Sequence, residues 1–176
     1  MKKKLALALA LVMTMSAVLA GCGGGSKLTF VTGGDQGTYY GFGTVLAGQI
    51  SDKTKTTVTA IVGKGSKGNI EQMDQKDAQL GFVQSDVMAY AYNGERLFEE
   101  NGKVGSFSTV AALYMEQGQI VTLDPNIKSV ADLKGKNVSV GESGSGVYFN
   151  AVDVLAAYDL DVEKDIKPTY QGFGDS

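Results

Sequence analysis

The residues best placed to do chemistry form a glycine- and serine-rich turn at positions 141–146. They are Gly141, Glu142, Ser143, Gly144, Ser145 and Gly146. An alternating apolar stretch precedes the turn and apolar residues recur at helical spacing after it, so a strand is predicted to pass into a helix that begins near Ser145. The first amides of a helix lack intrahelical partners and carry a partial positive charge, which suits them to bind a carboxylate. The alternative is a plain strand-to-helix turn that Ser143 or Ser145 caps.

Two earlier turns have the same strand-to-helix layout. At the first, Thr38 is the expected cap of a helix. At the second, Ser85 and Asp86 form a capping pair for a short helix that Gly94 ends. Ligands of open α/β sheets bind at the carboxyl ends of strands, so the three turns are expected to converge on one cleft.

The helices that follow the first and last of these turns each have a predicted apolar face. The face of the helix after Thr38 consists of Tyr39, Phe42, Leu46 and Ile50. The face of the helix after Ser145 consists of Val147, Ala151, Val154 or Leu155, and Tyr158. The first helix also contains Gly41, Gly43 and Gly48, each of which costs about 1 kcal/mol relative to alanine, so we expect close packing at these glycines.

A fourth turn, residues 63–68, matches the G-x-G-x-x-G spacing of the dinucleotide-binding fingerprint and follows a strand. The fingerprint belongs to the first strand-to-helix turn of its unit, and the acid expected about 20 residues later would be Asp86, beside a helix rather than at a strand end. A nucleotide site is therefore not expected here. The lysines of this turn, Lys64 and Lys67, are predicted to lie on a solvated rim.

The composition excludes several kinds of chemistry. The chain has 176 residues, no histidine and a net charge of −3. Without histidine, Ser-His-Asp and Cys-His nucleophile systems and the commonest zinc ligand are excluded. No catalytic residue, cofactor or metal is predicted, although Asp, Glu, Lys and Tyr remain as groups that an enzyme could use. The negative charge argues against a nucleic-acid partner. Arg96 is the only arginine, so an anionic ligand must be bound mainly by helix ends, hydroxyls and lysines.

Residues 1–21 have the layout of a lipoprotein signal peptide. Three lysines precede an uncharged run at residues 5–20, and residues 19–22, Leu-Ala-Gly-Cys, resemble a bacterial lipobox. Cys22 is therefore the predicted lipidation site, residues 22–27 are a lipid-anchored tether, and the protein is expected on the extracytoplasmic face of a bacterial membrane. A plain signal peptide or an uncleaved membrane anchor is the alternative.

Seven strand-like segments alternate with helical patterns, which predicts an α/β fold with parallel sheets. They lie at residues 28–31, 57–62, 79–84, 108–115, 119–123, 137–140 and 166–170. The segments at 108–115 and 119–123 are too close together for a crossover helix, so they are predicted to cross between two domains. We therefore place the first part of lobe one at residues 28–117, and the hinge crossover with the start of lobe two at residues 118–176.

Several of these motifs together resemble one family. They lie at residues 37–40 (GTYY), 80–86 (LGFVQSD), 112–114 (ALY), 132–136 (DLKGK), 141 (G) and 144–146 (GSG). In order and content they are similar to the TAXI family, the extracytoplasmic solute receptors of tripartite ATP-independent periplasmic (TRAP) transporters. The resemblance covers the chain after the tether. It implies a two-lobed periplasmic-binding-protein fold of type II, truncated here within the second lobe, because the family continues beyond Ser176.

The resemblance also implies a function. Such a receptor is not an enzyme; its lobes close on a small carboxylate such as glutamate or a related acid, which it delivers to sodium-driven TRAP permease subunits in the membrane. Carried over by position, the ligand-binding residues are Gly37, Thr38, Tyr39, Tyr40, Gln84, Ser85, Tyr114, Ser143, Gly144, Ser145, Gly146 and Val147. Val147 stands where a hydroxyl residue is common in the family, so one donor to the carboxylate is missing here.

Two other readings stay open. An ABC-type substrate-binding lipoprotein has the same fold but is coupled to an ATPase. A sensor input domain or an enzyme on the same scaffold belongs to a different class. A sensor needs a transmembrane helix, and an enzyme would have to use groups such as Asp86 and Glu142 as a carboxylate pair across the cleft.

Overall fold

The computed structural model describes residues 25–176. The first part of this range contains strand β1 (Lys27–Val31), helix α1 (Thr38–Lys53), strand β2 (Thr57–Ile61), helix α2 (Ser66–Asp74), strand β3 (Leu80–Gly81) and helix α3 (Ser85–Asn93). The second part contains strand β4 (Asn137–Ser139), helix α4 (Gly146–Ala156) and strand β5 (Lys167–Thr169). Short 3-10 helices lie at Arg96–Phe98 and Val130–Leu133. The predicted signal peptide and Cys22 lie outside the described residues.

Residues 25–102, called the first unit below, form a three-stranded parallel sheet in the order β2-β1-β3. β1 pairs with β2 along its whole length, whereas β3 pairs only with the last two residues of β1, Phe30 and Val31. The core between this sheet and α1 is formed by Phe30, Ala47, Val58 and Phe82. The predicted strands at 28–31 and 57–62 are confirmed, and the third predicted strand is reduced to two residues.

Helix α1 packs its predicted face on this core. Tyr39, Leu46 and Ile50 border the core, while Phe42 stays 42% exposed. The predicted cap is wrong, because the helix begins at Thr38 itself, after Gly37, and no side chain caps it. The first amides of α1 therefore have no side-chain cap.

Only one of the three glycines in α1 is closely packed. A Cβ atom at Gly43 would come 2.6 Å from Cγ2 of Thr32, so the helix can approach the sheet here only without a side chain. At Gly41 and Gly48, such a Cβ would have no heavy atom within 4 Å among the described residues, apart from the adjacent residues and the backbone of the helix itself. The expectation of close packing is right for Gly43 and wrong for the other two.

Residues 103–123, called the linking segment below, contain no strand, so the predicted strands at 108–115 and 119–123 are wrong. A strand needs a neighbour for its backbone donors and acceptors, and no strand within residues 25–176 pairs with this segment. Several of its apolar side chains lie in solvent, with Met115 85% and Val121 88% exposed. The segment connects the two halves of the molecule without extending either sheet.

Residues 124–176, called the second unit below, form a two-stranded parallel sheet of β4 and β5. Its core consists of Leu133, Val140, Tyr148, Leu155, Leu160, Val162 and Ile166. Ser129 and Asp132 form a reciprocal capping box at the start of the second 3-10 helix. The predicted strands at 137–140 and 166–170 are confirmed with slightly shorter bounds.

Helix α4 contributes to the cores of both units. Tyr148 is buried in the core of the second unit, whereas the next residue, Phe149, is buried in a cluster of the first unit. The Phe149 ring stacks on Tyr90 and Phe98, with centroids 5.7 and 6.4 Å apart. A packed helix therefore joins the two units in addition to the linking segment.

The apolar face predicted for α4 is only partly right. Leu155 is buried, but Val154 and Tyr158 are exposed. Asp153 instead turns towards the first unit, where it accepts a hydrogen bond from the Tyr90 hydroxyl at 2.7 Å and pairs with Arg96 at 2.6 Å. The hydrogen bond to Asp153 is the main cause of a raised pKa at Tyr90.

The predicted fold class is confirmed. Both sheets are parallel, and helices connect the paired strands of each unit. This is the α/β architecture expected from strands that alternate with helices. The carboxyl ends of β1 and β3 lead directly into α1 and α3, which places the candidate residues of the first unit at one edge of its sheet.

Candidate functional site

The turn before α4 has the geometry predicted for it. The Ser145 hydroxyl accepts a hydrogen bond from the Tyr148 amide at 3.1 Å and so caps the helix, which begins at Gly146. Gly141 and Gly144 both have φ of +82°, a left-handed conformation that glycine adopts readily. The predicted helix start near Ser145 is therefore confirmed, with Ser145 as the cap.

The unpaired backbone N–H groups of this turn belong to the two residues after Ser145. The Ser145 amide donates to the Glu142 carbonyl at 2.9 Å, so it is already satisfied. The amides of Gly146 and Val147, the first two residues of α4, have no acceptor within residues 25–176. These two N–H groups are the unpaired donors of the turn, with Gly146 buried and Val147 half-buried, and unpaired amides at a helix start suit an anion.

Gln84 brings the first unit against this turn. A Cβ atom at Gly146 would overlap the Gln84 side-chain amide, so only glycine lets the two units approach this closely. The Oε1 atom of Gln84 is buried and has no hydrogen-bond partner within residues 25–176. The Gln84 backbone amide donates to the buried Ser66 hydroxyl at 3.0 Å, which holds Gln84 in place.

The glycine-rich turn at residues 63–68 is a second contact between the units. Gly65 has φ of +86°, and a Cβ there would lie 3.0 Å from Cα of Ser145. The Lys67 amide donates to the Gly144 carbonyl at 3.0 Å. The predicted solvated rim is right for Lys64, which is exposed, and wrong for Lys67, which is half-buried and pairs with Glu71 at 2.8 Å.

A carboxylate of the linking segment, Glu116, connects two of the predicted residues. The Tyr39 hydroxyl donates to Glu116 Oε2 at 3.3 Å, and the Gln84 side-chain amide donates to the same oxygen. Burial, followed by the negative charge of Glu116, raises the pKa of Tyr39 well above its usual range. Burial and Glu116 also raise the pKa of Tyr114. Tyr39 is therefore a neutral hydrogen-bond donor at physiological pH.

The aromatic residues form one wall beside this carboxylate. The Tyr39 ring lies 5.0 Å from that of Phe82, and Tyr114 meets Phe42 edge-on with centroids 6.1 Å apart. Since these rings pack on the core of the first unit, they offer an apolar surface for the body of a small ligand.

The other predicted residues make fewer contacts. Thr38, Ser85 and Ser143 are exposed, and none of their side chains makes a hydrogen bond within residues 25–176. Gly37 lies against the Phe173 ring, and Val147 packs on Gly141. Tyr40 is half-buried, and its carbonyl accepts from Thr44. Five of the predicted residues lie where the two units meet, a region called the junction below. They are Tyr39, Gln84, Gly144, Ser145 and Gly146.

Two polar residues that the sequence did not single out support the junction, the buried Asn69 and the exposed Glu116. Asn69, on α2, donates to the carbonyls of Thr32 and Phe82 at 2.6 and 2.8 Å. These carbonyls follow β1 and β3, so Asn69 ties together the two strand ends from which α1 and α3 depart. A polar residue inside an otherwise unremarkable helix gave little sign of this role. Glu116 left a clearer signal, as an acid directly after an apolar run.

A cavity of about 490 Å³ opens on another side of the junction. Its lining includes Lys64, Lys67, Glu71, Arg96, Ser143 and Gly144. The cations Lys67 and Arg96 are already paired with Glu71 and Asp153, at 2.8 and 2.6 Å. This cavity thus offers an anion less free positive charge than its lysines and arginine suggest.

Metal-binding clusters and membrane-spanning helices are both absent from the described residues. Among residues 25–176, no cluster of three or more acidic, cysteine or histidine side chains is placed to hold a metal ion. Within the same range, no helix is long and apolar enough to cross a membrane. Glu142 lies near Gly34 and Gly172, and the structure records no hydrogen bond between Glu142 and Asp86.

Comparison with known proteins finds similarity to one protein family and to solved structures. A model of the NMT1-like family matches residues 30–176. Among solved structures, the alkanesulfonate-binding protein SsuA from Xanthomonas axonopodis pv. citri, bound to MOPS, is similar with 18% sequence identity and a TM-score of 0.48. The match covers 85% of this chain and 49% of that one, so the chain spans about half the length of this solved structure.

Proposed function

Because the chain belongs to the NMT1-like family, we propose that it is an extracytoplasmic solute-binding protein that captures a small carboxylate between its two units. The observation that carries the proposal is the contact of Gln84 with Gly146, at the N-terminus of α4. It places a polar side chain of the first unit beside two free amides of the second. A carboxylate bound there would accept from the amides of Gly146 and Val147.

The body of the ligand would lie against the aromatic wall. Tyr39 and Gln84 both donate to Glu116, and Tyr114 lies close enough to Glu116 for its charge to raise the pKa of the Tyr114 hydroxyl. Small-molecule sites combine apolar surface with a few polar groups that fix orientation, and this junction supplies both. Thr38, Tyr40, Ser85 and Ser143 would contribute only if the units rearrange around the ligand.

The resemblance to TAXI receptors supports the finer part of the proposal. Glutamate or a related acid would be the ligand, and a TRAP permease driven by a sodium gradient would be the partner. Lipidation of Cys22 would hold the protein at the outer face of the membrane. A mature protein whose first residue is not Cys22, or uptake that depends on ATP and not on sodium, would contradict these parts.

The central test is calorimetric titration of the purified full-length protein with glutamate, glutamine, 2-oxoglutarate and C4-dicarboxylates. We expect at least one of these acids to bind. Binding only of neutral sugars or of amines without a carboxylate would contradict the proposal.

A matched pair of variants tests where the carboxylate binds. Val147→Pro removes one free amide in the first turn of α4, where proline is tolerated, and should weaken an acidic ligand by about 1.5–3 kcal/mol. Val147→Ala keeps the amide and should bind nearly as the parent does. Equal affinities of the two variants would place the carboxylate elsewhere.

A further inference from the structure

Glu116 is an acid within the candidate site that no basic side chain neutralises. Five ion pairs occur within residues 25–176, and Glu116 belongs to none of them. Both of its hydrogen bonds, from Tyr39 and Gln84, go to a single oxygen, Oε2. The other oxygen, Oε1, has no hydrogen bond in the described part of the chain. The carboxylate is thus oriented by two neutral donors and keeps one oxygen free.

The position of this carboxylate limits which ligands can bind. Gln84 contacts both Glu116 and Gly146, so a ligand bound at the start of α4 lies close to Glu116. A ligand with only negative groups would meet a like charge there, and this repulsion lowers its affinity even though Glu116 is exposed to solvent. A ligand that also carries a protonated amine would meet a partner for it.

We propose that Glu116 is the residue that selects an amino acid over other acids, by accepting the ligand's ammonium group on its free oxygen. This inference rests on the proposed function, in which the ligand's carboxylate binds the amides of Gly146 and Val147. Tyr39 and Gln84 are then positioning residues, because they hold the Glu116 carboxylate by Oε2 and leave Oε1 without a hydrogen bond.

Glutamate and 2-oxoglutarate form the decisive pair of probes. They share both carboxylates and the carbon chain. They differ at one carbon, which carries an ammonium group in glutamate and a keto oxygen in 2-oxoglutarate. By calorimetry on the full-length protein, glutamate should bind about tenfold or more tightly than 2-oxoglutarate. Equal affinity, or tighter binding of 2-oxoglutarate, overturns the inference but leaves the proposed function standing. Failure of every carboxylate to bind overturns both.

Substitution of Glu116 distinguishes a direct contact with the ligand's ammonium group from the effect of net charge on binding. Glu116→Gln should lower the affinity for glutamate about tenfold or more and leave that for 2-oxoglutarate unchanged or higher. Glu95→Gln removes another exposed carboxylate, outside the junction, and should change neither affinity. Glu116→Asp keeps the charge and should retain part of the preference for glutamate. A parallel loss of both ligands in Glu116→Gln overturns the inference.

Discussion

The two units contribute different chemistry to the junction between them. The first unit and the linking segment present side chains, namely the Tyr39 hydroxyl, the Gln84 amide and the Glu116 carboxylate. The second unit presents main chain, the amides of Gly146 and Val147 at a turn shaped by glycines. A helix N-terminus keeps its partial positive charge whatever residues it carries, whereas each side chain can be exchanged singly. We therefore expect the second unit to set affinity for a negative charge and the first unit to set selectivity among acids.

The largest expected effect comes from the residue that joins the units. Phe149 belongs to the second unit by sequence but is buried, at 3% exposure, in a cluster of the first. Phe149→Ala should lower the free energy of unfolding by about 3–5 kcal/mol, because it leaves a cavity between the units. Urea denaturation measures this change.

Phe173→Ala is the matched control for that substitution. Phe173 is 69% exposed, so its replacement should change stability by no more than about 0.5 kcal/mol. Similar effects of Phe149→Ala and Phe173→Ala on the free energy of unfolding would contradict the packing of α4 between the two units.

The next effect concerns the packing of helix α1 on the sheet of the first unit. Gly43→Ala should destabilise the protein by about 1–3 kcal/mol, because the added methyl group would meet Thr32 and Phe82. Gly48→Ala, in the same helix but with open space around it, should stabilise the protein by up to about 1 kcal/mol. Opposite signs in thermal or urea denaturation are the expected outcome. A stabilising Gly43→Ala would show that α1 does not approach the sheet this closely.

A smaller effect distinguishes the helix starts of the two units. Ser145→Ala removes a cap and should cost about 1 kcal/mol of stability. Ser85→Ala should cost less than about 0.5 kcal/mol, since its hydroxyl makes no hydrogen bond within residues 25–176 and α3 has no side-chain cap. Equal costs would mean that Ser145 does not cap α4.

The smallest expected effect is the response of the second unit to acid. Backbone hydrogen bonds are the main cause of a pKa below the ordinary 3.8 at Asp132 and Asp165, from Lys128 and from Asp161 respectively. A lowered pKa in the folded state contributes stability above the unfolded value of 3.8, and this is lost as the pH falls through the lower folded pKa. Asp132→Asn should therefore reduce stability at neutral pH and have less effect below the folded pKa. A stability difference independent of pH would contradict this.

The local features of the fold could be predicted from the sequence. Alternating apolar residues located β1, β2, β4 and β5, and the Gly-Ser pattern located the start of α4, because these signals depend on neighbours along the chain. The cap at Thr38 failed because α1 starts one residue earlier than a capped helix would, after Gly37. Residue type alone does not fix the first residue of a helix to within one position.

Features that depend on distant residues could not be predicted. The apolar runs of the linking segment have strand composition, but strand formation needs a paired neighbour, and composition does not supply one. Periodicity indicated that α4 is half apolar, but not that Tyr148 and Phe149 would enter different cores. The meeting of Tyr39, Gln84 and Glu116 likewise joins three segments far apart in sequence.

The most direct test of the central claim, that an acid binds where the two units meet, is a residue-resolved NMR titration of the ¹⁵N-labelled protein with glutamate. The largest amide shifts should occur at Gly146 and Val147, with smaller shifts at Tyr39, Gln84 and Glu116. Shifts confined to Lys64, Lys67 and Arg96 around the charged cavity, or saturable binding without any shift at the start of α4, would contradict the account.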